Sequence, residues 1–152
     1  MAQIYSIVYQ PEDQKYREHR TDYLRIPLDS AILVAGYGIQ GDQKGGKHPD
    51  RQLNLISYEW LQYAGQQGYR ANPGEFGEQI VVAGLALDEL TPGARLRIGS
   101  QALVEIVKPR TGCDRLQAAQ PLPVKELGKI GIMARVVQSG EIRTGDAVSV
   151  QD

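Results

Sequence analysis

The residue types able to do chemistry gather in two stretches. The first, "VEIVKPRTGCDRL" (residues 104–116), contains the only cysteine of the chain, Cys113, flanked by Arg110 and Arg115 and preceded by Lys108. A thiolate is the nucleophilic and metal-binding form of cysteine, and neighbouring cations favour it. Gly112 lets the backbone approach a ligand closely, and Thr111 is placed to cap a helix opening near Cys113. A free cysteine can equally be a small buried hydrophobe. The polar composition of "PRTGC" is that of a turn, so the burial of this sulfur decides between the two.

The second stretch, "GYGIQGDQKGGKHPDRQLNLIS" (residues 36–57), packs five glycines, Lys44, Lys47, Arg51 and His48 between two strand candidates. Exposed backbone N–H groups and basic side chains together make a cradle for an anion; a flexible, solvated loop is the plainer alternative. The spacing in "GDQKGGKH" is not that of a Walker A loop, and "GYGIQG" lacks the βαβ unit that a dinucleotide fingerprint requires. His48 has only His19 as a companion, far away in sequence, so no metal-spaced His/Cys cluster exists. A Cys113–His48 dyad has no local support, and a surface histidine is the simpler reading. Glu75 and Glu78 in "PGEFGEQ" could polarise a ligand, although Pro73-Gly74 and Gly77 read more simply as a turn with hydrated carboxylates.

These groups need a scaffold, and 152 residues suffice for one domain with a real core, here taken as residues 1–152. With 41% hydrophobic and 23% charged residues and a formal net charge of -1, no global positive field exists to draw in nucleic acid. Any anion site must be local. No apolar stretch reaches the roughly 20 residues of a membrane-spanning helix, and the N-terminus lacks a basic region followed by an apolar one. A cytoplasmic protein without membrane or nucleic-acid partners is expected.

Seventeen glycines and eight prolines cut the sequence into short pieces, which favours a β-rich domain. Strands are predicted in "QIYSIVY", "SAILVAGYG", "RQLNLIS", "EQIVVAG", "ARLRIG", "ALVEIVKP", "IMARVVQSG" and "DAVSV". Alternation in "ALVEIVKP" sets Leu103, Glu105 and Val107 against Val104, Ile106 and Lys108, a central strand apolar on both sides. "SYEWLQYAGQQG" predicts a helix capped by Ser57, with Trp60, Leu61 and Ala64 on one face, and a second short helix is predicted from Asp114 to Ala119, before Pro121. Many short strands with close turns imply a barrel or sandwich.

In their order, "GIQGDQKGGKHPDRQLNLIS", "PGEFGEQIVVAGLALDELTPGARLRIGS", "ALVEIVKPRTGCDRL" and "GIMARVVQSGEIRTGDAVSV" resemble the MOSC domain family, named for the C-terminal domain of molybdenum cofactor sulfurases. The resemblance covers roughly residues 36 to 150 and implies a mainly β, barrel-like fold with a few short helices. It also implies that Cys113 either ligates the molybdenum of a molybdopterin cofactor or carries sulfur as a persulfide. Asp42, Arg51 and Arg110, which match the family's pieces, would then hold the anionic pterin and its phosphate, work suited to arginine forks, and Lys47 and His48 of the basic loop with Arg115 beside the thiol complete the expected cofactor-binding set. Gly112 stands where the family often has proline, which loosens the turn, and Gln79 stands where it often has asparagine. The implied activity is reduction of N-hydroxylated or similar small molecules with an external electron donor. The alternative is a non-catalytic sulfur carrier loaded by a cysteine desulfurase; no pyridoxal phosphate is expected in this chain alone.

Overall fold

The computed structural model describes residues 2–11, 25–43 and 45–151. His19 and Lys44 lie outside them. Eleven strands and two α-helices follow one another in these residues. Eight strands form one sheet in the order β11 (Val148–Gln151), β7 (Arg95–Ile98), β8 (Ala102–Thr111), β9 (Lys129–Gln138), β5 (Leu53–Ser57), β6 (Ile80–Ala83), β1 (Gln3–Tyr9) and β2 (Ile26–Leu28). The sheet curls until its first and last long strands meet: Gln3 bridges Ala147, and the Ile4 amide donates to the Asp146 carbonyl at 2.9 Å. A smaller sheet of β10 (Gly140–Arg143), β3 (Ser30–Val34) and β4 (Gly38–Ile39) completes the mainly β, barrel-like fold that the sequence implies. No helix among the described residues is long and apolar enough to cross a membrane.

Alternating side chains divide the interior into two cores. Leu53, Leu55, Ile80, Val82, Ile132 and Ala134 face the inside of the curled sheet. The other face of the same strands offers Ile56, Val81 and Ile130, which pack with Phe76 and with Leu61 and Ala64 of α1 (Tyr58–Gln66) and Leu116 of α2 (Asp114–Ala119). Burial on both faces explains why all five residues of β5 are buried. The predicted helices stand where expected, but Ser57 does not cap α1. Its hydroxyl donates to the Leu85 carbonyl at 2.8 Å and accepts the Leu87 amide instead.

"SAILVAGYG" is not one strand: β3 ends at Val34, and Gly36 and Gly38, with φ of 73° and 121°, carry the chain through a turn into β4. The strict alternation read into "ALVEIVKP" also fails. Ile106 pairs with Ala134, but Lys108 pairs with Met133, so Val107 is the extra residue of a bulge. Lys108 thereby leaves the face of Ile106 and joins that of Met133 and Arg110. Opposite Arg110 stands Gly131, where a Cβ would lie 2.3 Å from the Leu55 carbonyl oxygen. That contact is with backbone and cannot be relieved by a rotamer change. Gly131→Ala is therefore expected to cost about 1–3 kcal/mol of stability, the usual range for overpacking, read as a lower denaturant midpoint. An unchanged midpoint would mean that β9 and β5 can separate freely.

Candidate functional site: a basic cavity around Cys113

The bulge in β8 has a direct consequence for the site. Lys108 and Arg110 of β8, Met133 of β9 and Asn54 of β5 all line a cavity of about 840 Å³ at the end of the sheet, within the size range of small-molecule sites. The loop after β4 adds Lys47, His48 and Arg51, and the segment running from β8 into α2 adds Cys113 and Arg115. Of the seven residues expected to hold the cofactor or its metal, six (Cys113, Lys47, His48, Arg51, Arg110 and Arg115) thus line one cavity. Cys113 is exposed, which removes the reading of a buried apolar thiol. His48 is exposed as well, and its Nδ1 accepts the Asp50 amide at 3.2 Å.

Asp42 is the seventh, and the structure places it behind the wall. It is fully buried; its Oδ1 accepts the Gln10 amide at 3.0 Å and its Oδ2 accepts Gln79 Nε2 at 3.2 Å. Gln79 Oε1 accepts the Asn54 amide at 2.8 Å. Gln10 in turn accepts Arg25 Nη1 through its Oε1 at 3.1 Å. Asp42 therefore orders the backbone of Gln10 and, through Gln79, that of Asn54, two residues that line the cavity. Buried polar groups are tolerated when satisfied in this way.

Arg110 is the buried member of the cationic set, 5% exposed. Its Nη1 donates to the Phe76 carbonyl, and the turn carrying that carbonyl is folded around Glu78. The Glu78 carboxylate, fully buried rather than hydrated, accepts the Gly74 amide at 2.6 Å and the Phe76 amide at 3.2 Å. Glu75, the other carboxylate of the turn, accepts Asn72 N and Arg70 Nε. One expectation around the thiol needs correction. Thr111 ends β8 and caps nothing, since Cys113 itself is the residue before α2. Gly112 lines the cavity, as its lack of a side chain allows, and a Cβ there would sit 2.8 Å from the Val124 carbonyl carbon and oxygen, so its missing side chain also lets two backbone segments touch.

Sequence reasoning did not single out Gln10, Arg25, Asn54 or Met133, which share the cavity. Asn54 and Met133 follow from the β5–β9 register, in which they are directly paired. Gln10 and Arg25 are joined by a tertiary hydrogen bond, for which the local sequence carries no signal.

Burial pushes the Glu78 carboxyl above the ordinary glutamate range, against the pull of the Gly74 and Phe76 amides and the Arg110 charge. Between the ordinary value, 4.5, and the raised one, the native state binds more protons than the unfolded chain. This contribution to stability is complete below that ordinary value and declines as pH rises through the window. Glu78→Gln cannot ionise, so the stability advantage of the wild type over this variant should shrink from the acid side upward in denaturation curves. A difference that is constant, or that grows with pH, would contradict the assignment.

Comparison with known proteins agrees with this architecture. A structure of YiiM from Geobacillus stearothermophilus superposes with a TM-score of 0.73 at 25% identity, covering 100% of this chain and 76% of that one. The YuaD protein of Bacillus subtilis gives 0.72 at 20% identity, covering 99% and 96%, a likeness of fold. Among curated proteins, one named "Reductase" from Gibberella moniliformis is 23% identical over 134 residues, 80% of this chain. The chain spans only about a quarter of that relative's length, 24%. The model of the MOSC domain matches residues 42–149, and the chain belongs to that family.

Proposed function

We propose that the protein holds a molybdenum cofactor of the molybdopterin type in the basic cavity, with the Cys113 thiolate as a ligand of the metal, and reduces N-hydroxylated or similar small molecules. The observation that carries this reading is the meeting of an exposed thiol with lysines and arginines from separate elements in one cavity, whose described lining contains no Asp or Glu. Such a lining suits an anionic ligand bearing phosphate, and a thiolate suits a soft metal centre. Among the described residues no three His, Cys, Asp or Glu side chains cluster to hold a metal by themselves. A metal at Cys113 would therefore have to bring most of its ligands with it, as a pterin-bound metal does.

In this reading Arg51, Lys47 and Arg115 bind the phosphate and pterin edge, and His48 offers a polar contact at the rim. Arg110, already engaged by the Phe76 carbonyl, supplies a fixed positive charge beneath them. When bound, the cofactor would supply a two-electron redox centre. Reduction of an N-hydroxylated amine consumes two electrons and two protons and releases the amine and water. The electrons come from an external donor, and the relative named as a reductase, about four times longer than the matched segment, supports a redox role. Cys113→Ser is expected to lower reduction of hydroxylamine compounds, driven by an artificial electron donor, by about a hundredfold or more, the scale for loss of a reacting group. Full activity in that variant would end the proposal.

The exposure of Cys113 also favours a second reading, in which a cysteine desulfurase loads it with a persulfide for delivery to a metal centre or cofactor. Under that reading the protein takes up sulfur without bound pterin. Failure to accept labelled sulfur under conditions that load a known carrier would count against it.

A further inference from the structure

The thiol-bearing turn is held from behind by side chains outside the cavity. Gln117 of α2 grips the segment that follows the helix twice: its Nε2 donates to the Leu122 carbonyl at 2.9 Å, and its Oε1 accepts the Val124 amide at 2.9 Å. The Val124 backbone is what Gly112 packs against. Gln120, 7% exposed, reaches the other way. Its Oε1 accepts the Arg70 amide at 2.9 Å, and its Nε2 donates to the carbonyls of Arg70 at 2.8 Å and Glu75 at 3.2 Å. The Glu75 segment continues into Phe76, whose carbonyl accepts Arg110.

We propose that Gln117 and Gln120 are positioning residues that keep Cys113 inside the basic cavity and in register with Arg110. The proposal rests on the reading of Cys113 as the functional thiol. Neither glutamine lines the cavity, so both act through the turn that carries Cys113. A helix of six residues is too short to persist alone, and its place depends on what its side chains grip. Each grip needs a donor and an acceptor on one side chain, which an amide has and a carboxylate or an alkyl group lacks. When the clamp is released, α2 loosens and the thiol spends part of its time away from the cations.

The test compares alkylation of Cys113 by iodoacetate, an anion, with alkylation by iodoacetamide, which is neutral. In both, the thiolate attacks the methylene carbon and iodide leaves. Their rate ratio therefore cancels the thiolate fraction and reports the local positive field. Wild-type protein of residues 1–152 from a host unable to make molybdopterin should favour iodoacetate more than a small free thiol does. Gln117→Leu and Gln120→Met, with native circular dichroism, should lower the ratio at least about threefold, because a charge that leaves a focused field loses most of its benefit. Ile142→Val, in the interior of the barrel and away from the clamp, destabilises the fold without changing the ratio. If one glutamine variant does not fold, the other carries the test. A ratio equal to wild type in a folded variant overturns the proposal. The readout needs no metal, so a ratio that falls as expected in a protein that never takes up molybdenum keeps the clamp and removes the cofactor reading.

Discussion

A guanidinium removed from water must find hydrogen-bond partners or destabilise whatever surrounds it. Arg110 is in that position, and the neighbouring architecture answers its demand. The Phe76 carbonyl accepts from it, the turn presenting that carbonyl is folded around the Glu78 carboxylate, and Gly131 leaves room for β9 to lie against β5 beneath it. The bulge at Val107 aims Arg110 and Lys108 at the cavity rather than at the barrel interior. Three features that look unrelated in the chain, a bulge, a buried acid and a strand glycine, thus serve one buried cation.

The rest of the electrostatics is arranged to leave that cavity positive. The chain as a whole is close to neutral, yet several carboxylates among the described residues are engaged away from the cavity. Glu105 sits between Arg95 and Arg135 on neighbouring strands, and those arginines, the Arg135 hydrogen bond first, hold its carboxyl below the usual glutamate range. Glu59 accepts the Gly84 amide, and Glu75 is occupied by Arg70 and Asn72. Local excess charge in a concave site focuses its field on an anionic ligand, whatever the net charge of the protein.

Most strands were legible because Val, Ile and Leu runs bounded by Gly and Pro require little tertiary information to identify. The span of α2 was legible too, since Pro121 forbids its continuation. What escaped was set by pairing. The bulge at Val107 exists only in register with β9, and β2 and β4 are too short to declare themselves locally. Within the site, residue types announced Cys113, Arg51 and Arg110, whereas Gln10, Arg25, Asn54 and Met133 arrive by strand register and side-chain hydrogen bonding. Asp42 was expected at the ligand only through the family resemblance, as part of the "GD" of the glycine loop. Its burial follows from Gln79 and Gln10, which are distant in sequence.

The proposed function stands on Cys113 being a ligand of a molybdenum–pterin cofactor held by the surrounding cations. Its most direct test is the molybdenum and pterin content of wild-type and Cys113→Ser protein purified from a host that makes the cofactor. The account predicts both in the wild type and loss of the metal in the variant. Equal metal in the two proteins, or a folded wild type that contains neither metal nor pterin, would contradict it.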